Sequence, residues 1–118
     1  DLSKSDVYAL SHWINTIYPG RIPLGTLNKP PSAELAPDQV DPFDYDIVSP
    51  LVDSIVEDGK TINELVQNGI DKDLVNSIYN RIRINEYKRR QAAPGLRVSS
   101  KAFGMGRRFP IVNHFQSE

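Results

Sequence analysis

Val7, Leu10, Trp13, Ile14 and Ile17 recur at three- and four-residue spacing, which places them on one face of a helix. Ser3 stands where an N-cap belongs, with acidic Asp6 three residues on, and Pro19-Gly20 closes the segment. The pattern predicts a helix over 3–18, with Trp13 in a core. Six prolines then fall between residues 19 and 46: Pro19, Pro23, Pro30, Pro31, Pro37 and Pro42. They remove backbone donors and disfavour helix before each ring. Ile22 to Leu27 is expected as a short strand or turn. From Lys29 to Asp46 the chain is poor in apolar residues and carries Glu34, Asp38, Asp41, Asp44 and Asp46. A polar loop of this length is either functional or a flexible surface linker.

A second stripe is formed by Ile47, Val48, Leu51, Val52, Ile55 and Val56, with Pro50 expected in the first helical turn and Gly59 as the stop. Thr61-x-x-Glu64 has the form of a capping box for a short helix through Val66 that closes near Gly69. Asp71 can cap a third helix, with Leu74, Val75, Ile78 and Ile82 inward, running to Arg89 or Arg90. After Gln91 no period remains, and an extended arm lying on another surface is expected. The reading is mainly α: a helix over 3–18, a Pro-rich loop at about 29–46, a helical bundle over 47–90 and an extended basic tail over 91–118. The chain has 118 residues, enough for one modest core. It opens without an initiator Met inside an apparent helix start, and is expected to be a fragment of something longer.

Charge adds an asymmetry that a net of −1 conceals. Residues 1–80 hold five Lys/Arg against thirteen Asp/Glu, whereas residues 81–108 hold nine Lys/Arg against Glu86 alone. Segregation of this kind marks a surface for an anionic ligand or partner, or a solvated tail. The absence of cysteine excludes disulfides, Cys-ligated zinc and thiol nucleophiles from this stretch, and fits a reducing cytoplasm. No apolar run approaches the ~20 residues that span a bilayer. His12 and His114 have no companions at metal-ligand spacing, and no metal site is expected. No G-x-x-x-x-G-K-[ST] loop occurs. Tyr87-Lys88-Arg89-Arg90 with Arg97, Lys101, Arg107 and Arg108 suits phosphate groups, and only Phe103 and Phe109 interleave as aromatics, which is thin support for single-stranded nucleic acid.

The order of motifs resembles the NAD synthetase family. Asp-Leu-Ser-Lys at 1–4 before an amphipathic helix is similar to the segment after that family's substrate-activating core. Lys-Pro-Pro-Ser-Ala-Glu-Leu at 29–35, then Gln39, Asp41 and Tyr45-Asp46, resembles its mobile loop over the nucleotide. Residues 85–95, Asn-Glu-Tyr-Lys-Arg-Arg-Gln-Ala-Ala-Pro-Gly, resemble its helix-to-tail signature. Residues 99–111 resemble the tail of the longer, glutamine-dependent members. The resemblance implies the C-terminal part of an α/β ATP-pyrophosphatase domain (adenine nucleotide alpha hydrolase-like). It implies an enzyme that adenylates the nicotinate carboxylate of deamido-NAD with ATP and Mg²⁺, then amidates it with ammonia from glutamine.

Position by position, Lys4 and Ser32 match family residues that contact ATP, Ser32 standing where shorter members have Thr. Lys88 matches the lysine of a His-Lys pair that meets deamido-NAD, and Tyr87 replaces the His. The loop at 30–46 is expected to be a lid that excludes water from the adenylate. The family's Ser-Gly-Gly-x-Asp-Ser phosphate loop, its magnesium carboxylate and its glutaminase cysteine do not occur here, so the chain alone is expected to be inactive. A cytoplasmic homo-oligomer is expected, without membrane or nucleic-acid partners. The alternative is a helical interaction module whose basic arm binds acidic partners or RNA.

Overall fold

The computed structural model describes residues 1–101, 106 and 108–112. Six helices and no strand occur among them: α1 (Lys4–Ile17), α2 (Leu24–Asn28), α3 (Tyr45–Val56), α4 (Ile62–Gln67), α5 (Lys72–Ile84) and α6 (Glu86–Arg90). The chain divides into two compact units within α3, one of Leu2–Ser49 and one of Asp1 with Pro50 onward.

In the first unit, Ser3 and Asp6 form a reciprocal capping box at the start of α1. The helix ends in a turn through Gly20 (φ +74°), and the Asn15 side chain pins that turn. Its amide donates to the Ile22 carbonyl and its oxygen accepts the Ile22 N–H, both at 2.9 Å. Residues 24–28 are helical, not the strand or turn expected for 22–27. Pro23 sits at the N-cap (φ −58°), and its carbonyl accepts from Thr26 N–H at 3.0 Å, so the ring starts a helix instead of breaking one. The placement of Trp13 is also corrected: no residue of α1 is buried, and Trp13 is 57% exposed. Periodicity reports which residues share a face, and says nothing of whether the chain supplies a cover for it.

The second unit holds the apolar core. Leu51, Ile55 and Val56 of α3, Ile62 and Leu65 of α4, and Val75 and Ile78 of α5 are buried, and α4 packs on α5. Pro50 lies inside α3 instead of its first turn. The reason is an early start: Asp44 accepts the Asp46 N–H on its carboxylate (3.0 Å) and the Val48 N–H on its carbonyl (2.9 Å). Thr61 and Glu64 form the capping box of α4. Gly69 (φ +89°) then ends it, with Gly69 N–H bonding Val66 and Ile70 N–H bonding Leu65. That pairing needs a left-handed residue, which glycine supplies without strain.

The single helix expected from Asp71 to Arg89 or Arg90 is broken at Asn85. The Asn85 amide takes the Arg81 carbonyl at 2.8 Å, alongside the backbone N–H of the same residue. Beyond the break Glu86 turns inward, 1% exposed, and pairs with Arg89 and Arg90.

The described residues after α6 have no regular structure, but they are stitched to their own unit. Asp1 accepts Val98 N–H (2.7 Å), Ser99 N–H (3.1 Å) and the Ser99 hydroxyl (2.8 Å). Lys101 donates to the Val56 carbonyl at 2.7 Å, and Ser100 donates to Glu57. Phe109 meets Tyr79 edge-on at 6.4 Å, with the Arg89 guanidinium 5.6 Å from its ring centre. Phe103, Arg107 and His114, singled out from sequence, lie outside the described residues.

Candidate functional site

Lys4 occupies the first turn of α1, its side chain exposed. Its ammonium does not simply face water. It lies 5.7 Å from the ring centre of Tyr8 and 5.3 Å from that of Tyr45. Tyr8 is one helical turn along α1, a spacing that brings side chains together. Tyr45 comes from the start of α3, and a sequence gives no signal for that approach.

The Tyr45 phenol donates to Asp41 Oδ2 at 2.7 Å. This bond to a carboxylate, then burial, push the phenol pKa up to about 12. Phe43 meets the Tyr45 ring edge-on at 6.4 Å. Asp41 is held in turn by its N–H, which donates to the Pro31 carbonyl at 2.8 Å and draws the ends of the 31–41 segment together.

Within that segment Ser32 Oγ accepts the Glu34 N–H at 3.0 Å, and Gln39 Oε1 accepts the Leu35 N–H at 2.9 Å. Lys29 pairs with Glu34, and this hydrogen bond and charge hold the Glu34 carboxyl below the ordinary range. The Pro-rich stretch is therefore a compact loop closed on its own backbone and side chains. Glu34 and Asp38 take left-handed conformations (φ 53° and 56°), a cost that this closure offsets.

A cavity of ≈ 500 Å³ opens in the same unit, with Tyr8, His12, Pro30, Pro31, Phe43 and Tyr45 among its walls. Lys29 lines it as well. Lys4 and Ser32 are not among its lining residues, but Lys4 lies against two tyrosines that are. Its walls combine rings and proline faces with charges of both signs, the Lys29 ammonium and the Asp44 and Asp46 carboxylates. Tyr8, Asp41 and Tyr45 were not singled out from sequence as a group. Asp41 and Tyr45 stood out from sequence only as parts of the loop motif.

Tyr87 and Lys88 stand on α6 in the other unit, both exposed, with the Lys88 ammonium 6.0 Å from the Tyr87 ring centre. Of the cations expected to form a basic surface, Arg89 pairs with Glu86, Arg97 bonds the Ser99 and Ser100 carbonyls, and Lys101 bonds Val56. Among the described residues no group of three or more His, Asp or Glu stands close enough to hold a metal ion. No helix among them is long and apolar enough to cross a membrane.

A family model described as NAD synthase matches residues 1–92. The glutamine-dependent NAD(+) synthetase of Synechocystis sp. is 40% identical over 100% of this chain, and that of Acinetobacter baylyi 38% over 100%. The Thermotoga maritima synthetase is 38% identical over 98%. The chain spans only 22%, 23% and 21% of those three proteins. A solved structure of glutamine-dependent NAD+ synthetase from Acinetobacter baumannii, in complex with ADP, matches with a TM-score of 0.59 at 28% identity, covering 100% of this chain and 20% of that one. With the family pattern running from Asp1 through the whole helical region, the chain belongs to the NAD synthase family.

Proposed function

We propose that this chain works as part of a glutamine-dependent NAD synthetase, which converts deamido-NAD to NAD. ATP adenylates the nicotinate carboxylate with release of pyrophosphate, and ammonia from glutamine then displaces AMP to give the amide. The observation that carries the reading is the end-to-end similarity to glutamine-dependent synthetases, one of them solved with ADP bound. The helices belong, in this reading, to the edge of an α/β ATP-pyrophosphatase domain of a cytoplasmic homo-oligomer.

Lys4 places an ammonium against ATP phosphate oxygens and offsets the negative charge that builds as pyrophosphate departs. Ser32 adds a hydroxyl from the closed loop at 29–46, which serves as a lid over the nucleotide and keeps water from the adenylate. Lys88, beside Tyr87, meets deamido-NAD. Carboxylates outside these residues would hold Mg²⁺, which would offset charge on the phosphates. What supports the enzyme over a basic interaction arm is that the similarity to glutamine-dependent synthetases runs over the whole chain.

In the complete enzyme, Lys4→Ala is expected to raise the KM for ATP about tenfold or more, the loss of one charge-assisted hydrogen bond, and to leave the KM for deamido-NAD in place. An unchanged KM for ATP counts against the assignment. The 118-residue chain alone is expected to show no turnover.

A further inference from the structure

We infer that Tyr8 and Tyr45 are positioning residues that cage the Lys4 ammonium, and that the Asp41–Tyr45 hydrogen bond ties this cage to the closed loop carrying Ser32. The inference rests on the reading of Lys4 as a nucleotide contact and deepens it.

Lysine ends a flexible four-carbon stem, so an ammonium in an exposed first helical turn samples many positions. Two ring faces 5.7 and 5.3 Å away, from separate helices, restrict it by attraction to their electron-rich faces. Tyr45 is itself fixed twice, by its 2.7 Å bond to Asp41 and by the edge of Phe43. Asp41 is the residue whose N–H closes the loop on Pro31, immediately before Ser32. The sequence Ser32, Pro31, Asp41, Tyr45, Lys4 is thus a continuous line of covalent, hydrogen-bonded and ring contacts. Closure of the loop and aim of the ammonium are one event, which lowers the ordering cost met when the phosphates arrive.

The test is steady-state kinetics of the complete synthetase with Lys4→Ala, with the pair Tyr8→Leu/Tyr45→Leu, and with the pair Tyr8→Phe/Tyr45→Phe. Two lost cation–π contacts are expected to raise the KM for ATP about tenfold, with the KM for deamido-NAD unmoved, and the ring-retaining pair, which keeps both faces but loses the Asp41 bond, is expected to fall between wild type and the leucine pair. If the leucine pair stays near wild type while Lys4→Ala raises the KM for ATP, the cage is overturned and the Lys4 assignment stands. If the phenylalanine pair is as impaired as the leucine pair, the rings are not what holds the ammonium, and the inference also falls. If Lys4→Ala has no effect, both readings fall together.

A second measurement does not depend on the leucine pair folding. Lysines of the wild-type enzyme are ¹³C-dimethylated and the Lys4 signal assigned with Lys4→Arg. Ring currents are expected to move it upfield of the other lysines, and a signal at the solvent-exposed position overturns the cage.

Discussion

The Tyr45 phenol donates its hydrogen to the Asp41 carboxylate at 2.7 Å, so the first residue of α3 is fastened to the loop that precedes it. The bond favours the neutral phenol, and Tyr45 titrates at about 12 in the folded chain against about 10 for a free tyrosine. A raised pKa means that this contribution to stability is whole below pH 10 and fades as pH rises through 12. Ultraviolet titration of phenolate is expected to show one late tyrosine. Asp41→Asn is expected to bring it toward the others, and a titration unchanged by that substitution rules out the bond.

Glu86 and Arg89 form an ion pair in which the carboxylate is almost wholly enclosed. Glu86→Ala leaves Arg89 without its main counter-charge and is expected to lower stability by about 3 kcal/mol in urea unfolding. Replacing both by leucine is expected to recover most of that loss, because the desolvation of two charges disappears with them. A double variant no better than the single one contradicts the account.

Thr61→Ala removes the N-cap of α4 and is expected to cost about 1 kcal/mol near neutral pH. The Thr61 N–H and hydroxyl hold the Glu64 carboxyl below its ordinary range. A lowered pKa means that stability is present above the unfolded value, about 4.3, and is lost as pH falls through the folded one. The gap between wild type and Thr61→Ala, followed by urea unfolding, is therefore expected to narrow on acidification below that point.

Asp1 gathers three donors from Val98 and Ser99. Asp1→Ala is expected to release this stretch, and trypsin to cut at Arg97 and Lys101 severalfold faster, with the helical core unaffected. Equal cleavage rates in the two proteins argue against the clip.

Local signals were legible in the sequence wherever one residue's chemistry acts on its near neighbours. The capping boxes of Ser3 and Thr61, the N-cap at Asp71 and the glycine stop at Gly69 are of this kind. Burial of Val75 and Ile78 follows from the same periodicity. What escaped depends on competition or distance. Asn85 interrupts a continuous apolar period, its side chain donating to the Arg81 carbonyl beside its own backbone N–H. Pro23 begins a helix that proline counting argues against. Lys4 and Ser32 were singled out by resemblance, whereas the approach of Tyr45 to Lys4 joins α1 to the start of α3, which no local pattern reports.

α1 keeps its capping box while burying none of its fourteen residues, so no packed apolar face holds it. A helix of this length is marginal in water without a packed face. Its amide protons should therefore exchange first among the long helices, ahead of α5 with its enclosed Val75 and Ile78. The lysine at its first turn then inherits that breathing. Slowed exchange along α1 becomes a direct gauge of whatever surface comes to lie over Trp13.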